Sequence, residues 1–185
     1  MNNKAFTLVE TLMASVLMLI LVGVLTLAFF QANSIFYETD ILADLQADAR
    51  LAIDKMAVDL RRTSLSYIDS IIQDSPVAGT DIIDYYLPDD SSPKDGIPDL
   101  DNNGDIIWDS VNKIRIDTVT GQLRMINNGV VTVLANNVKK VNFFNQPRDS
   151  SLYLNELRVV LELEKTAPNN RTYNTTFTSI INMRN

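Results

Sequence analysis

The sequence of 185 residues contains neither cysteine nor histidine. Without cysteine, the chain forms no disulfide and offers no thiolate for catalysis or metal binding. Without histidine, it has no imidazole for acid–base catalysis, for a Ser-His-Asp triad or for the common zinc sites. Basic residues are scarce, with 16 Lys and Arg against 23 Asp and Glu, and the net charge is −7. Nucleic-acid binding needs a basic face, so no direct nucleic-acid partner is expected.

Apolar residues are concentrated near the amino terminus. Residues 6–30 contain a single charged side chain, that of Glu10. A helix over residues 11–30 would span about 30 Å, the thickness of a bilayer's hydrocarbon core. The run is apolar on all sides, which is not typical of a helix on the surface of a soluble domain. Lys4 precedes it and acidic residues from Glu38 onward follow, so the amino terminus is predicted to be cytoplasmic.

A cleaved secretory signal peptide is the alternative to a membrane anchor. Signal peptides have an apolar stretch of about 7–15 residues followed by a cleavage site with small residues. The apolar stretch here is longer, and Ala32 and Ser34 provide only a weak site of that kind. An exported module released from a signal peptide therefore stays open as an alternative.

Glu10 is the residue of the apolar run that needs a physical explanation. A carboxylate in hydrocarbon costs on the order of a few kcal/mol, so it lies at the headgroup level or has a partner. Cleavage between Ala5 and Phe6 would create a new amine close to Glu10. In a packed array of such helices, Glu10 of one chain could pair with the amine of the next.

The residues Lys4-Ala5 followed by FTLVETLMA resemble the class III signal of type IV prepilins and type II secretion pseudopilins. The resemblance implies that a prepilin peptidase in the inner membrane removes residues 1–5, that Phe6 is N-methylated, and that Glu10 is the assembly glutamate. It further implies other pilin or pseudopilin subunits and an inner-membrane assembly platform as partners. The family usually has Gly before the cut, where this chain has Ala5.

A second, amphipathic half of the same helix is predicted over residues 31–66. Residues 37–63 contain neither Gly nor Pro. Apolar residues recur at steps of three and four, which is typical of one helix face: Ile41, Leu45, Ala49, Ala52, Met56 and Leu60. The stretch 45–62 is similar to the helix-end segment of PilW-type minor pilins and J-type minor pseudopilins.

Residues 67–185 are predicted to form a β-rich head. Seven runs have the composition or alternation of strands: residues 82–87, 113–119, 122–127, 130–134, 138–144, 156–164 and 173–183. Asn128-Gly129 between two runs indicates a hairpin. Leu157, Val159 and Leu161 alternate with mostly polar residues, which predicts one buried face. The expected fold class is α+β, a long amino-terminal helix packed on an antiparallel sheet, as in pilins.

An acidic loop is predicted within residues 81–109, which contain nine Asp and one Lys. The segment 99–106 fits the first eight places of an EF-hand-like calcium loop, with Gly104 at the turn. Its ligands would be Asp99, Asp101, Asn103 and Asp105. The twelfth place is Ser110, so Asp109 or a more distant carboxylate would have to replace the missing glutamate. The alternative to a Ca²⁺ site is a solvated loop with Asx turns.

These features together predict a minor pilin or pseudopilin, a structural subunit that joins or primes a filament. The alternatives are an exported calcium-binding module and a membrane-anchored secretion-system component outside the filament. An enzyme is not expected, because no pair of carboxylates is marked for general acid–base catalysis of the kind glycosidases use.

Overall fold

The computed structural model describes residues 7–73, 79–91, 96–167 and 170–184. Their contacts divide the chain into two units, Met1–Ile41 and Leu42–Asn185. A single helix, α1, runs from Leu8 to Leu60 and supplies residues to both units. The predicted α+β fold class is confirmed, with a long apolar helix at the amino terminus and antiparallel strands after it.

The described part of the first unit is helical from Leu8 onward. It contains an 18-residue window with a mean hydropathy of 2.7, none of which is buried within the protein. This segment is long and apolar enough to span a membrane, as expected for a single-pass anchor. The absence of proline and the abundance of Leu, Met and Ala explain why it is helical.

The helix ends at Leu60, six residues before the predicted boundary at residue 66. A 3-10 turn follows at Leu65–Tyr67, after Ser64 in an extended conformation. Thr63 explains the earlier end: its hydroxyl donates to the carbonyl of Tyr86 at 2.7 Å. Its own carbonyl accepts the N–H of Arg184 at 2.9 Å. These bonds to the head replace the continuation of the helix.

Two antiparallel sheets form the second unit together with the end of α1. The first has five strands in sequential order: β1 (Ile68–Ile72), β2 (Ile82–Tyr85), β3 (Ile114–Val119), β4 (Gln122–Asn127) and β5 (Val130–Ala135). The second has three: β6 (Val138–Phe144), β7 (Glu156–Thr166) and β8 (Thr172–Asn182). Seven strands lie where the sequence predicts them, whereas β1 was not predicted.

The two sharp turns of the first sheet follow from local sequence. Asn128 and Gly129 have φ values of 49° and 76°, so β4 and β5 are joined by a two-residue turn with both central residues left-handed. Thr120 and Gly121 join β3 and β4 in the same way, with φ values of 50° and 75°. Such turns match the twist of the flanking strands. The hairpin predicted at Asn128-Gly129 is confirmed.

The core of the second unit lies between one face of α1 and the inner faces of the strands. The helix contributes fully or almost fully buried side chains at Leu45, Ala49, Ala52, Met56 and Leu60. Strand β7 contributes Leu157, Val159, Leu161 and Leu163, all with no exposed surface. Both predicted apolar faces are therefore confirmed. Burial of each leucine side chain contributes roughly 1.5–3 kcal/mol of hydrophobic free energy.

Candidate functional site

The predicted processing site and the assembly glutamate stand at the start of α1. Ala5 and Phe6 lie outside the described residues. Glu10 is the third residue of the helix and its side chain is exposed. The hydroxyl of Thr7 accepts the N–H of Glu10 at 3.3 Å, which caps the helix start.

The cap, which was not predicted, uses the backbone N–H of Glu10 and not its carboxylate. Thr7 and Glu10 have the T-x-x-E spacing of a capping box, and this spacing was the signal available in the sequence. A carboxylate in the first turn gains about 0.3–1 kcal/mol from the helix dipole. A charged side chain at the centre of a membrane helix costs about 2.5–3.5 kcal/mol on insertion scales. The gain from the helix dipole alone does not offset that cost at membrane depth.

The aspartates between residues 81 and 109 do not form one loop. Asp81 and Asp84 lie at β2 and are buried, so both belong to the sheet and not to the acidic loop predicted from residue 81. Asp84 accepts two hydrogen bonds from Arg115 on β3, at 2.7 and 2.8 Å. Asp81 accepts the N–H of Phe143 at 2.9 Å and forms an ion pair with Arg148. Both carboxylates are structural, because each holds a neighbouring segment in place.

The remaining acidic loop folds back on itself as a short ladder. The N–H of Asp89 donates to the carbonyl of Ile107 at 2.8 Å, and the N–H of Ile107 donates to the carbonyl of Asp99 at 2.8 Å. At its base, the ring of Trp108 stacks on that of Tyr67, with centroids 3.9 Å apart and planes 12° apart. The loop is thereby fastened to the segment that follows α1.

The tip of the loop is organised around Asp101. Its Oδ1 accepts the N–H of Asn103 at 2.8 Å and the N–H of Asp105 at 2.9 Å. These hydrogen bonds, chiefly that from Asp105, hold the pKa of Asp101 below its ordinary value. Gly104 has a φ of +83°, which allows the sharp turn. Three predicted ligand residues, Asp101, Asn103 and Asp105, are thus brought together in an Asx-type turn.

The other two predicted ligands are directed to different partners. Oδ2 of Asp99 accepts the N–H of Ser91 at 3.1 Å. Asp109 accepts hydrogen bonds from Asn112 and from the N–H of Val111. Burial raises the pKa of Asp109, but the hydrogen bonds from Asn112 and Val111 outweigh it and the pKa is lowered. In the part of the chain that the structure describes, no group of three acidic side chains is placed to hold a metal ion.

Calcium binding by the loop stays a prediction, and it is tested by the calcium-dependent part of stability. We expect Ca²⁺ to raise the melting temperature of the parent chain, and Asp101→Ala to reduce that increment. Because the variant also loses hydrogen bonds of the turn, its absolute melting temperature is not informative. The quantity compared is the difference in melting temperature between calcium and a chelator. Asp54→Ala on the exposed face of α1 is the matched control and should keep the full increment. No calcium effect on the parent would contradict the prediction.

Comparisons with known proteins add no further constraint on the site. No protein-family model matches the chain, no curated protein is significantly similar to it, and no solved structure matches it.

Proposed function

We propose that the chain is a minor pilin or pseudopilin, a membrane-anchored structural subunit that joins or primes a type IV pilus-like filament. The observation that carries the proposal is the position of Glu10. Glu10 is the one acidic residue in the first turn of α1. The 18-residue apolar window of that helix contains no buried residue. A head of antiparallel strands follows that helix in the chain.

The exposed apolar helix requires a covering in every state of the protein. Lipid provides it while the chain stands in the membrane, and the helices of neighbouring subunits would provide it in a filament. The side chains from Leu8 to Tyr37 are exposed on all sides of the helix, which suits contact with several neighbours. A single partner helix would cover only one stripe.

Pairing between Glu10 and a neighbour's terminal amine would supply the register of such an array. In a low-dielectric environment opposite charges attract far more strongly than in water, so only a correctly staggered subunit neutralises both. The amine in question is that of Phe6 after removal of residues 1–5. In this proposal the chain is inserted in the inner membrane with its amino terminus cytoplasmic. A prepilin peptidase and an assembly platform act on it there.

The head has a contact role in the proposal, and no catalytic step is assigned to it. Its most buried carboxylates, Asp81 and Asp84, are engaged by Arg148 and Arg115. Both carboxylates are thus engaged in ion pairs within the head, which suits a structural role.

The mature amino terminus tests the proposal directly. On co-expression with a prepilin peptidase, we expect the chain to begin at N-methylated Phe6, as read by mass spectrometry of the intact protein and its first peptide. Ala5→Trp should remain at full length, because a bulky residue beside the scissile bond does not fit a site for small residues. Ala5→Gly is the matched control and should be processed at least as well as the parent.

The other outcomes identify the alternatives. A mature start near Asn33 or Ile35 would indicate a signal peptide and an exported module. An uncut parent chain would indicate a plain membrane anchor, with the protein a component outside the filament.

A further inference from the structure

The first four residues of β5 are exposed on both faces of the sheet. β5 is the last strand of the five-stranded sheet, and no described strand pairs with its outer side. Val130, Val131 and Val133 are 66%, 51% and 41% exposed, and Thr132 between them is exposed too. Because neighbours along a strand point to opposite faces, the end of the β4–β5 hairpin stands clear of the core on both sides.

The exposed end of this edge lacks the charges and prolines with which soluble proteins usually protect an open strand. The fourteen residues from Met125 to Val138 contain no charged residue and no proline. Lysines, prolines, bulges or a covering segment normally keep an edge strand from pairing with a strand of another chain. The β4–β5 ladder has one irregularity: Leu123 pairs with Ala135 and Arg124 with Val133, so Leu134 is an extra residue in β5, directly after the exposed end. One face of the hairpin also forms a shallow concavity lined by Met125, Asn127, Asn128, Val130 and Thr132.

The register of the hairpin decides which backbone groups are available. Asn127 opposes Val130 across the two-residue turn and Met125 opposes Thr132. In such a hairpin the pair that closes the turn exchanges hydrogen bonds, and bonded and non-bonded pairs then alternate. Val130 and Thr132 therefore use their backbone groups toward β4. The N–H and C=O groups of Val131 and Val133 point to the open edge.

We propose that the β5 edge is a self-association surface that pairs antiparallel with β5 of a second copy of this chain. In this arrangement Val131 opposes the second copy's Val133, and the reverse, so four backbone hydrogen bonds form about a two-fold axis. Thr132 lies on the axis and faces Thr132 of the second copy. The spacing of the free groups is thus self-complementary, as a symmetric contact requires.

Charge favours a second copy over another occupant. Each chain has a net charge of −7, so two copies repel least where they meet at an uncharged surface, and Met125–Val138 is such a surface. A strongly acidic or basic partner would find no charge there to bind. The edge strand β8 is also uncharged from Thr172 to Asn182, but every second side chain along it is partly or fully buried against the head. Pairing at β8 would therefore bury new apolar surface on one face only.

The absence of native cysteine makes the contact testable by disulfide trapping in the full-length chain. Residues opposed in a non-hydrogen-bonded pair have Cα atoms about 4.5 Å apart, which is within reach of a disulfide. On mild oxidation in membranes, we expect T132C to shift from the monomer to the dimer position on a non-reducing gel. V131C should remain monomeric, because its two copies are diagonal neighbours about 7–8 Å apart. T178C, an exposed threonine midway along β8, is the matched control and should also remain monomeric.

An edge charge supplies the second arm of the experiment. Adding V131K to T132C should abolish the dimer, because two lysines and their hydration would then lie at the contact. Val131 is exposed, so the substitution should leave the far-ultraviolet circular dichroism unchanged, and T178K should leave the T132C dimer intact. Equal cross-linking of T132C and T178C, or a T132C dimer that survives V131K, would overturn the proposal. The proposal does not depend on processing at Phe6, since the uncut chain should give the same pattern.

Discussion

Replacing Glu10 with valine is expected to leave membrane insertion intact and to remove the protein from filaments. Valine removes a charge that costs up to about 2.5–3.5 kcal/mol at the centre of a membrane helix, so the anchor should insert at least as well. In the proposed filament, the same change removes the partner of the neighbour's Phe6 amine. Incorporation should fall by about tenfold or more, because even about 1.4 kcal/mol of lost pairing is a factor of ten in an equilibrium. Membrane and sheared-filament fractions, quantified by immunoblot, give the two measurements.

Two further variants separate charge from helix capping. Glu10→Gln keeps the size and polarity of the side chain but not its charge, and should fail to incorporate as Val does. Thr7→Val removes the hydroxyl cap while it leaves the carboxylate, and should incorporate almost normally. Normal incorporation of Glu10→Val would contradict the pairing hypothesis. A defect in Thr7→Val as large as that in Glu10→Val would indicate that the helix start matters and not the charge.

Replacing Asp84 with asparagine is expected to destabilise the head by on the order of 2–3 kcal/mol. Breaking a fully buried ion pair costs about 3–5 kcal/mol, and the smaller figure reflects partial solvation of the partner left behind. The Asp84 side chain is 2% exposed, whereas that of Arg115 is 42% exposed and can be rehydrated. Lys113 lies 3.8 Å from Asp84 and also loses its attraction. Urea unfolding of the full chain in detergent, followed by the fluorescence of the single tryptophan, measures the loss.

The pH dependence of this loss has a definite sign. Burial raises the pKa of Asp84, but the hydrogen bond and charge of Arg115, with Lys113, outweigh burial and hold the pKa below its ordinary value of 3.8. A lowered pKa in the folded state contributes stability that is complete above the unfolded pKa and is lost as the pH falls through the folded one. The difference between parent and Asp84→Asn should therefore be constant near neutral pH and shrink on acidification below about 3.8.

A neighbouring carboxylate provides the control for this prediction. Asp69 binds Lys113 at 2.9 Å, but both side chains are about 40% exposed. Asp69→Asn should cost no more than about 1 kcal/mol, as exposed ion pairs generally do. An Asp84→Asn variant as stable as the parent would contradict the structural role of the pair. A difference that does not shrink in acid would contradict its electrostatic origin.

Features with a local period could be predicted from sequence. The apolar run identified a helix able to span a membrane, and the three- and four-residue spacing from Leu45 to Leu60 identified its buried face. Alternation along Leu157–Leu163 identified the inner face of β7, and Asn128-Gly129 identified a hairpin. Each of these depends on residues close together in the chain, where backbone geometry alone fixes which side chains share a face.

The sequence by itself determined the membrane-compatible helix, the strand-rich head and the acidic character of the segment before Trp108. Only the tertiary structure decided that α1 ends at Leu60, that the strands divide into two sheets, and that β1 joins the first. It also decided that Asp84 belongs with Arg115, 31 residues away, and Asp81 with Arg148, 67 residues away. Such pairings depend on which strands become neighbours, and on burial, which raises the cost of an unpaired charge. Neither the strand order nor the burial is encoded by a local sequence pattern.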